Sequence, residues 1–278
     1  MENISECICS AEQGNPKSQY NLGNAYYRGE NIEQNYVKAV EWYTKAAMRN
    51  HPKAQFKLGV CYDDGKVVAE NKVIAVQWYI KAAEQGHEKA QYNLGNCYYR
   101  GEGVEQDYAK AVEWYTKAAM KNHPKAQFKL GVCYDDGKGV AENKVIAVQW
   151  YIKAAEQGHE KAQYNLGNCY YRGEGVEQDY AKAVEWYTKA ALQNHPKAQF
   201  KLGVCFDKGN GTVKNEVAAI EWYTKAALQG HAKAQYNLGN SYMKGEGVEM
   251  NSAKAVEWYR KAAAQGHEKA KLKLEAIK

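Results

Sequence analysis

The seven histidines of the chain recur at a single spacing, and imidazole can bind metals or transfer protons near neutral pH. They stand 36 residues apart, at His51, His87, His123, His159, His195, His231 and His267. One metal ion needs several ligands about 2 Å from it, whereas equivalent positions of stacked helices lie at least ~8–10 Å apart. We therefore predict that the histidines cap helices or pack turns, and that the chain holds no metal and no cofactor.

Five of the seven cysteines form a second series with the same spacing: Cys61, Cys97, Cys133, Cys169 and Cys205. A disulfide needs Cα atoms within roughly 7 Å, which is less than the separation of stacked helices. We expect reduced thiols, buried as small apolar side chains. Cys7 and Cys9 stand two residues apart on an expected helix and point in different directions, so bridging or chelation is not expected there either.

All seven tryptophans share the 36-residue spacing, from Trp42 to Trp258. Such regularity indicates a tandem array that grows by stacking units rather than by adding separate cores. In residues 87–122, Ala90, Leu94 and Tyr98 recur every four residues, which predicts one apolar face of a helix. The glycines after it predict a turn, and a second apolar periodicity follows, so each unit is predicted to be a helical hairpin.

The ends of the predicted helices are marked in every unit. An Asn or Asp precedes each second helix and is predicted to be its N-cap. An Asn or Gly follows each second helix, and we expect it to adopt the left-handed conformation that ends a helix. The four prolines stand at the first position of a first helix, where a missing N–H costs nothing. On the second helices, Glu113 and Lys117 and four equivalent pairs are spaced for surface ion pairs.

The repeated pattern resembles the Sel1-like repeat, a 36-residue relative of the tetratricopeptide repeat. One unit fits it at Ala90, Leu94, Gly95, Tyr98, Gly101, Gly103, Val104, Lys110, Ala111, Trp114, Tyr115, Lys117, Ala118 and Ala119. Among the departures, Val67 replaces a loop glycine, although a β-branched residue disfavours positive φ. The resemblance implies an all-α, right-handed α-solenoid of 36-residue helical hairpins that acts as an adaptor for other proteins.

This pattern divides the chain into a capping half-repeat at 1–14, seven tandem repeats at 15–266 and a capping helix at 267–278. We expect these parts to form one continuous solenoid domain. Residues 51–122 and 123–194 are identical at 69 of 72 positions, which indicates either recent duplication or a consensus-designed array.

The resemblance implies that first-helix residues outside the interhelix core line a concave groove. We predict that this groove binds a protein or peptide, because Asn pairs with both backbone groups and Tyr offers a large contact area. The candidates are Tyr20, Asn24, Tyr27, Phe56, Asp63, Tyr92, Asn96, Tyr99, Arg100, Phe128, Asp135, Tyr164, Asn168, Tyr171, Arg172, Phe200, Tyr236 and Asn240. The predicted function is a non-enzymatic interaction scaffold.

Two alternatives stay open. Some cysteine-rich relatives are described as binding or hydrolysing β-lactams, and Ser241 and Lys244 have S-x-x-K spacing, but K-T-G and S-D-N are absent. An RNA-binding helical repeat is disfavoured because base-reading repeats vary, whereas this array nearly repeats itself and Asp63 and Asp135 would repel phosphate. We predict no catalytic residues and no nucleic-acid partner.

The net charge of +6 is not gathered into a basic run, and no apolar stretch is long enough to span a bilayer. Residues 1–14 lack the pattern of a secretory signal, so we expect a cytoplasmic protein without membrane insertion. Secretion as an effector by another signal stays open. The expected state is a monomer or weak self-association.

Overall fold

The computed structural model describes residues 4–277, and this part of the chain consists of sixteen helices joined by turns, without a strand. The helices are α1 (Ile4–Glu12), α2 (Pro16–Arg28), α3 (Tyr36–Met48), α4 (Pro52–Asp64), α5 (Lys72–Glu84), α6 (Glu88–Arg100), α7 (Tyr108–Met120), α8 (Pro124–Asp136), α9 (Lys144–Glu156), α10 (Glu160–Arg172), α11 (Tyr180–Leu192), α12 (Pro196–Lys208), α13 (Glu216–Leu228), α14 (Ala232–Lys244), α15 (Ser252–Ala264) and α16 (Glu268–Ala276). They belong to two compact units, Met1–Glu142 and Asn143–Lys278.

Each of these two compact units is built from antiparallel hairpins of two helices. The first unit contains the pairs α2/α3, α4/α5 and α6/α7, and the second contains α10/α11, α12/α13 and α14/α15. The core of a hairpin holds Ala and Leu from the first helix and Ala and Tyr from the second, as Leu94 and Tyr115 do with no exposed surface. The helices approach closely at Gly95, where an added Cβ would lie 2.6 Å from Tyr115 Cδ1.

The predicted helix caps are confirmed except at His267, whose side chain makes no cap hydrogen bond to α16. Asp107 Oδ1 accepts a hydrogen bond from the backbone N–H of Lys110 at 2.9 Å, and His87 Nδ1 accepts one from Ala90 at 3.2 Å. The residue after a second helix is left-handed whether it is Asn122, with φ 64°, or Gly158, with φ 83°. The four prolines stand in the first turn of α2, α4, α8 and α12.

The loop inside each hairpin depends on a glycine in most repeats. Gly103 has φ +73°, and an added Cβ would lie 2.2 Å from the carbonyl oxygen of Lys72 in the preceding hairpin. Val67, at the equivalent position, does not have positive φ. The loop of that repeat therefore follows a different backbone path, as the steric preference of a β-branched residue requires.

The lysines of the second helices contact tryptophans instead of forming the predicted ion pairs with glutamates. Lys117 Nζ lies 3.8 Å from the ring centroid of Trp114, three residues earlier, rather than pairing with Glu113. The same Lys–Trp contact recurs in every second helix from α3 to α15. A half-buried indole attracts the cation and the lysine methylene groups together, which outweighs a solvated ion pair worth ~0.2–0.5 kcal/mol.

The terminal helices are single rather than paired in hairpins of their own: α1 packs on α2, and α16 packs on α15. The caps predicted at 1–14 and 267–278 include residues 1–3 and 278, which lie outside the described residues. One continuous domain remains a prediction. Between residues 4 and 277, no helix has both the length and the apolar character needed to cross a membrane.

Candidate functional site

The outward side of each first helix repeats one set of residue types, and we call these residues the first-helix face. In α6 it consists of Lys89, Tyr92, Asn93, Asn96 and Tyr99. Lys89 is exposed and the other four are half-buried. The opposite side of α6 is buried, and it consists of Ala90, Gln91, Leu94, Gly95 and Cys97.

The first aromatic residue of the face stacks on the histidine that precedes the next first helix. The rings of Tyr92 and His123 lie 4.9 Å apart with an interplanar angle of 27°. The same stacking joins Tyr20 to His51, Phe56 to His87, Tyr164 to His195, Phe200 to His231 and Tyr236 to His267. These six predicted partner-binding rings therefore also join one first helix to the start of the next. Phe128 is half-buried on α8.

Burial lowers the pKa of five of the capping histidines, which are His51, His87, His123, His195 and His231. Burial lowers the pKa of His87 to about 4, and Nδ1 serves as the acceptor that caps α6. An imidazole whose Nδ1 accepts a backbone N–H cannot carry a proton on that atom. Among residues 4–277, no cluster of His, Cys, Asp and Glu has an arrangement suited to a metal ion.

The asparagines of the face are bonded to tyrosines of the hairpin core. The hydroxyl of Tyr115 donates to Asn96 Oδ1 at 2.8 Å, and burial raises the pKa of that tyrosine. Tyr43 donates in the same way to Asn24, Tyr187 to Asn168 and Tyr259 to Asn240. The side-chain oxygen predicted to meet a peptide is already engaged, so these asparagines stabilise the hairpin.

Aspartates perform this role in alternate repeats. Asp63 Oδ2 accepts from the hydroxyl of Tyr79 at 3.0 Å, and its other oxygen pairs with Lys72 Nζ at 2.9 Å. Asp207 accepts from Tyr223 at 3.3 Å, and Asp135 is half-buried on α8. Sequence reasoning missed this role, although a signal was present: where the asparagine position holds Val60, an acid appears three residues later.

The second tyrosine of the face also packs within the scaffold. Tyr99 meets Tyr108 edge-on at 5.1 Å, and its hydroxyl lies 3.2 Å from Lys138 Nζ. Tyr171 meets Tyr180 at 5.0 Å and accepts from Asn210 at 2.9 Å, and Tyr27 meets Tyr36 at 5.2 Å. Arg100 and Arg172 are exposed at the end of the face, each 3.5 Å from a loop glutamate.

The face also contains depressions and cations that sequence reasoning did not single out. In the first unit, two adjoining depressions of about 470 and 320 Å³ share Phe56, Glu88 and Lys89 in their walls. Lys53 and Lys57 line the smaller one, and Lys125 lines the larger. Lysines thus surround the aromatic residues that the sequence predicted.

The serine motif is placed unlike a catalytic pair. Ser241 is buried, at 9% exposure, and its hydroxyl donates to the carbonyl oxygen of Asn237, whereas Lys244 Nζ lies 3.3 Å from Glu246. All seven cysteines lie within the described residues as thiols rather than in disulfides, and only Cys9 is exposed. Burial raises the pKa of Cys97 to about 12, so its thiol is held protonated.

The spacing of the repeats matches that of a known family. The Sel1 repeat profile matches seven consecutive segments: 16–51, 52–87, 88–123, 124–159, 160–195, 196–231 and 232–267. The chain belongs to the Sel1 repeat family. Each Sel1 repeat begins one residue later than the unit drawn from sequence, so the capping histidine closes the preceding repeat.

Solved structures agree with this assignment. A protective antigen of uropathogenic Escherichia coli strains, which displays an SLR fold, is 37% identical with a TM-score of 0.86, covering 100% of this chain and 67% of that one. A Sel1 repeat protein from Oxalobacter formigenes is 34% identical with a TM-score of 0.78, covering 99% and 80%. The predicted fold class, an all-α solenoid of helical hairpins, is confirmed.

A sel1-like repeat-containing protein of Acanthamoeba polyphaga mimivirus is 46% identical over 41 residues, which is 15% of this chain and 7% of that protein. The chain therefore matches only a small part of that relative. Sel1 repeats generally form scaffolds for protein interaction and are typically non-enzymatic. That general role is as far as the family assignment reaches.

Proposed function

We propose that this Sel1 repeat chain is a non-enzymatic adaptor that binds a segment of another protein along the first-helix face. The supporting observation is the recurrence of one half-buried aromatic position and one exposed lysine at the same register of successive first helices. A face with a repeated register suits a chain that runs across the repeats, because each repeat offers the same contact again.

In this proposal the candidate residues differ in what they offer a partner. The stacked rings, such as Tyr92 on His123, are pre-oriented and lose little conformational entropy on binding. Arg100 and Arg172 are exposed and can reach carboxylates or carbonyl groups. The asparagines and aspartates bonded to core tyrosines act mainly by holding the helices that carry these groups.

The proposal is tested by selecting peptides from a random-sequence library on the full chain. A photo-crosslinking residue is then placed at Lys89, which is exposed on the face, and in a second variant at Glu113, which is exposed on the second helix of the same hairpin. We expect the selected peptides to crosslink from position 89 and not from position 113. Crosslinking from 113 alone, or failure to select any peptide, contradicts the proposal.

A further inference from the structure

A lysine stands at the second position of every first helix. All eight of these side chains are exposed. They are Lys17, Lys53, Lys89, Lys125, Lys161, Lys197, Lys233 and Lys269. Helix capping does not require a lysine there, because the capping atom belongs to the residue before the helix, which is His51 for α4 and His87 for α6.

Alternate repeats add a second lysine one turn later. Lys57, Lys129 and Lys201 are half-buried and lie 5.5, 5.2 and 5.3 Å from the ring centroids of Tyr27, Tyr99 and Tyr171, respectively. The attraction between an ammonium group and an aromatic ring holds each of these lysines beside its tyrosine. The pKa of Lys201 is lowered, first by burial and then by Arg172 and Lys233, which indicates several cations at one place.

The same stretch of the first helices contains few acids. Over the first six positions of the eight helices, the only acidic residues are Glu88, Glu160 and Glu268, each beside one of the lysines. The second helices, by contrast, carry Glu41, Glu113 and their equivalents. Thirteen lysines accompany these three acids, whereas the second helices hold fourteen lysines and arginines with eight glutamates. The excess of cations over acids is therefore larger at the starts of the first helices, where the two adjoining depressions of the first unit also lie.

We propose that the first-helix face binds an acidic, extended segment of a partner protein, with carboxylates about every third residue. Neighbouring helices pack ~8–10 Å apart and an extended chain advances ~3.3 Å per residue, so roughly three residues cross one helix spacing. Lysines pair with the carboxylates while Phe56 and Tyr92 contact the intervening residues. A nucleic-acid duplex fits less well, because the phosphates of each strand follow one another every ~3.4 Å along its axis and would outnumber the lysines.

This inference rests on the proposed function and is tested separately, with defined peptides and the full chain. A labelled peptide of repeated Glu-Ser-Ala triplets is titrated by fluorescence anisotropy. It is compared with its Gln and Lys counterparts, with a peptide that has the same glutamates clustered at one end, and with a single-stranded oligonucleotide. We expect the evenly spaced acidic peptide to bind most tightly and more weakly as salt rises.

Two triple variants of equal charge change give the control. The first carries Lys53→Glu, Lys89→Glu and Lys125→Glu on the face; the second carries Lys45→Glu, Lys81→Glu and Lys117→Glu on the second helices. Glutamate is favourable in the first turn of a helix, so the first variant is expected to fold, which circular dichroism checks. We expect the face variant to bind the acidic peptide more weakly by on the order of tenfold, and the other to bind it nearly as the native chain does.

Several outcomes overturn the inference. An equal loss of affinity in both variants indicates attraction by net charge alone. Equal binding of the Gln peptide contradicts recognition of carboxylates, and equal binding of the clustered peptide contradicts their proposed spacing. Tighter binding of the oligonucleotide favours nucleic acid, and no binding of the acidic peptide removes the partner class. If library peptides crosslink at position 89 but are not acidic, the scaffold proposal stands and only the present inference fails.

Discussion

Tyr115 and Asn96 join the two helices of one hairpin through a single hydrogen bond of 2.8 Å between the phenol hydroxyl and the amide oxygen. Tyr115 has no exposed surface, so the hydroxyl depends on this acceptor. In the preceding repeat the hydroxyl of Tyr79 donates to Asp63 instead. Asp63 stands three residues after Val60, which occupies the position equivalent to Asn96. The alternation between amide and acid is therefore a structural feature of the core.

Asn96→Ala is expected to destabilise the chain by about 1–3 kcal/mol, the usual cost of leaving a buried hydroxyl unsatisfied. Urea unfolding followed by circular dichroism measures the loss. Asn96→Asp is the matched control, because Asp63 shows that a carboxylate accepts the same type of bond. Tyr115→Phe in the Asn96→Ala background is expected to recover part of the stability, and equal stability of Asn96→Ala and the native chain contradicts the assigned role.

Stability is expected to fall as the pH decreases from about 6.5 to about 4. Burial lowers the pKa of His87 and of His231 to about 4 in the folded chain, so the unfolded chain binds more protons across this interval. Protonation also removes the Nδ1 acceptor that caps each helix. The midpoint temperature of unfolding, recorded against pH, measures the effect.

Asn15 supplies the control for this pH dependence, since it caps α2 with a side chain that does not titrate. A chain with His87→Asn and His231→Asn is expected to lose less stability between pH 6.5 and 4 than the native chain. Asp107 and Asp179 have pKa values below their usual range, mainly because of hydrogen bonds from the backbone of Lys110 and Lys182, so their contribution is lost at lower pH. An unchanged pH profile would exclude the histidines as its source.

Gly95→Ala is expected to destabilise the chain even though alanine is the better helix former. The gain in helix propensity is about 1 kcal/mol, whereas overpacking a closed core costs about 1–3 kcal/mol. The added methyl group would lie 2.6 Å from the ring of Tyr115, with the carbonyl oxygen of Ala111 at 3.3 Å. Urea unfolding checks the sign, and Gly158→Asn, which reproduces the left-handed asparagine found at Asn122, is expected to be nearly neutral.

Only one of the seven thiols is expected to react in the folded chain. Cys9 is exposed, whereas burial raises the pKa of Cys97 to about 12 and those of Cys133 and Cys205 to about 11. Titration with a chromogenic disulfide reagent at pH 8 is expected to label one cysteine rapidly and all seven after denaturation. Cys9→Ser is expected to abolish the rapid phase, and rapid labelling of that variant would contradict the burial of the remaining thiols.

Much of the fold was predictable because each helix contains residue types that favour its start and its end. The apolar residues around Leu94 recur with helical spacing, and Asp107 and Pro124 mark helix starts by local chemistry. A β-branched residue disfavours positive φ, and Val67 does not have positive φ. The candidate site was predicted less completely, because its residue types are shared by packing and binding.

The sequence by itself determined the repeat, the helical hairpins, their caps and the reduced state of the cysteines, since each depends on residue type and spacing along one segment. Only the tertiary structure decided that Tyr92 stacks on His123, that Lys117 covers Trp114 rather than pairing with Glu113, and that Asn96 serves Tyr115. Two of these three contacts join residues 19 or more positions apart. They depend on how closely the helices approach. Side-chain volumes in the core set that distance, and Gly95 allows a close approach because it has no side chain.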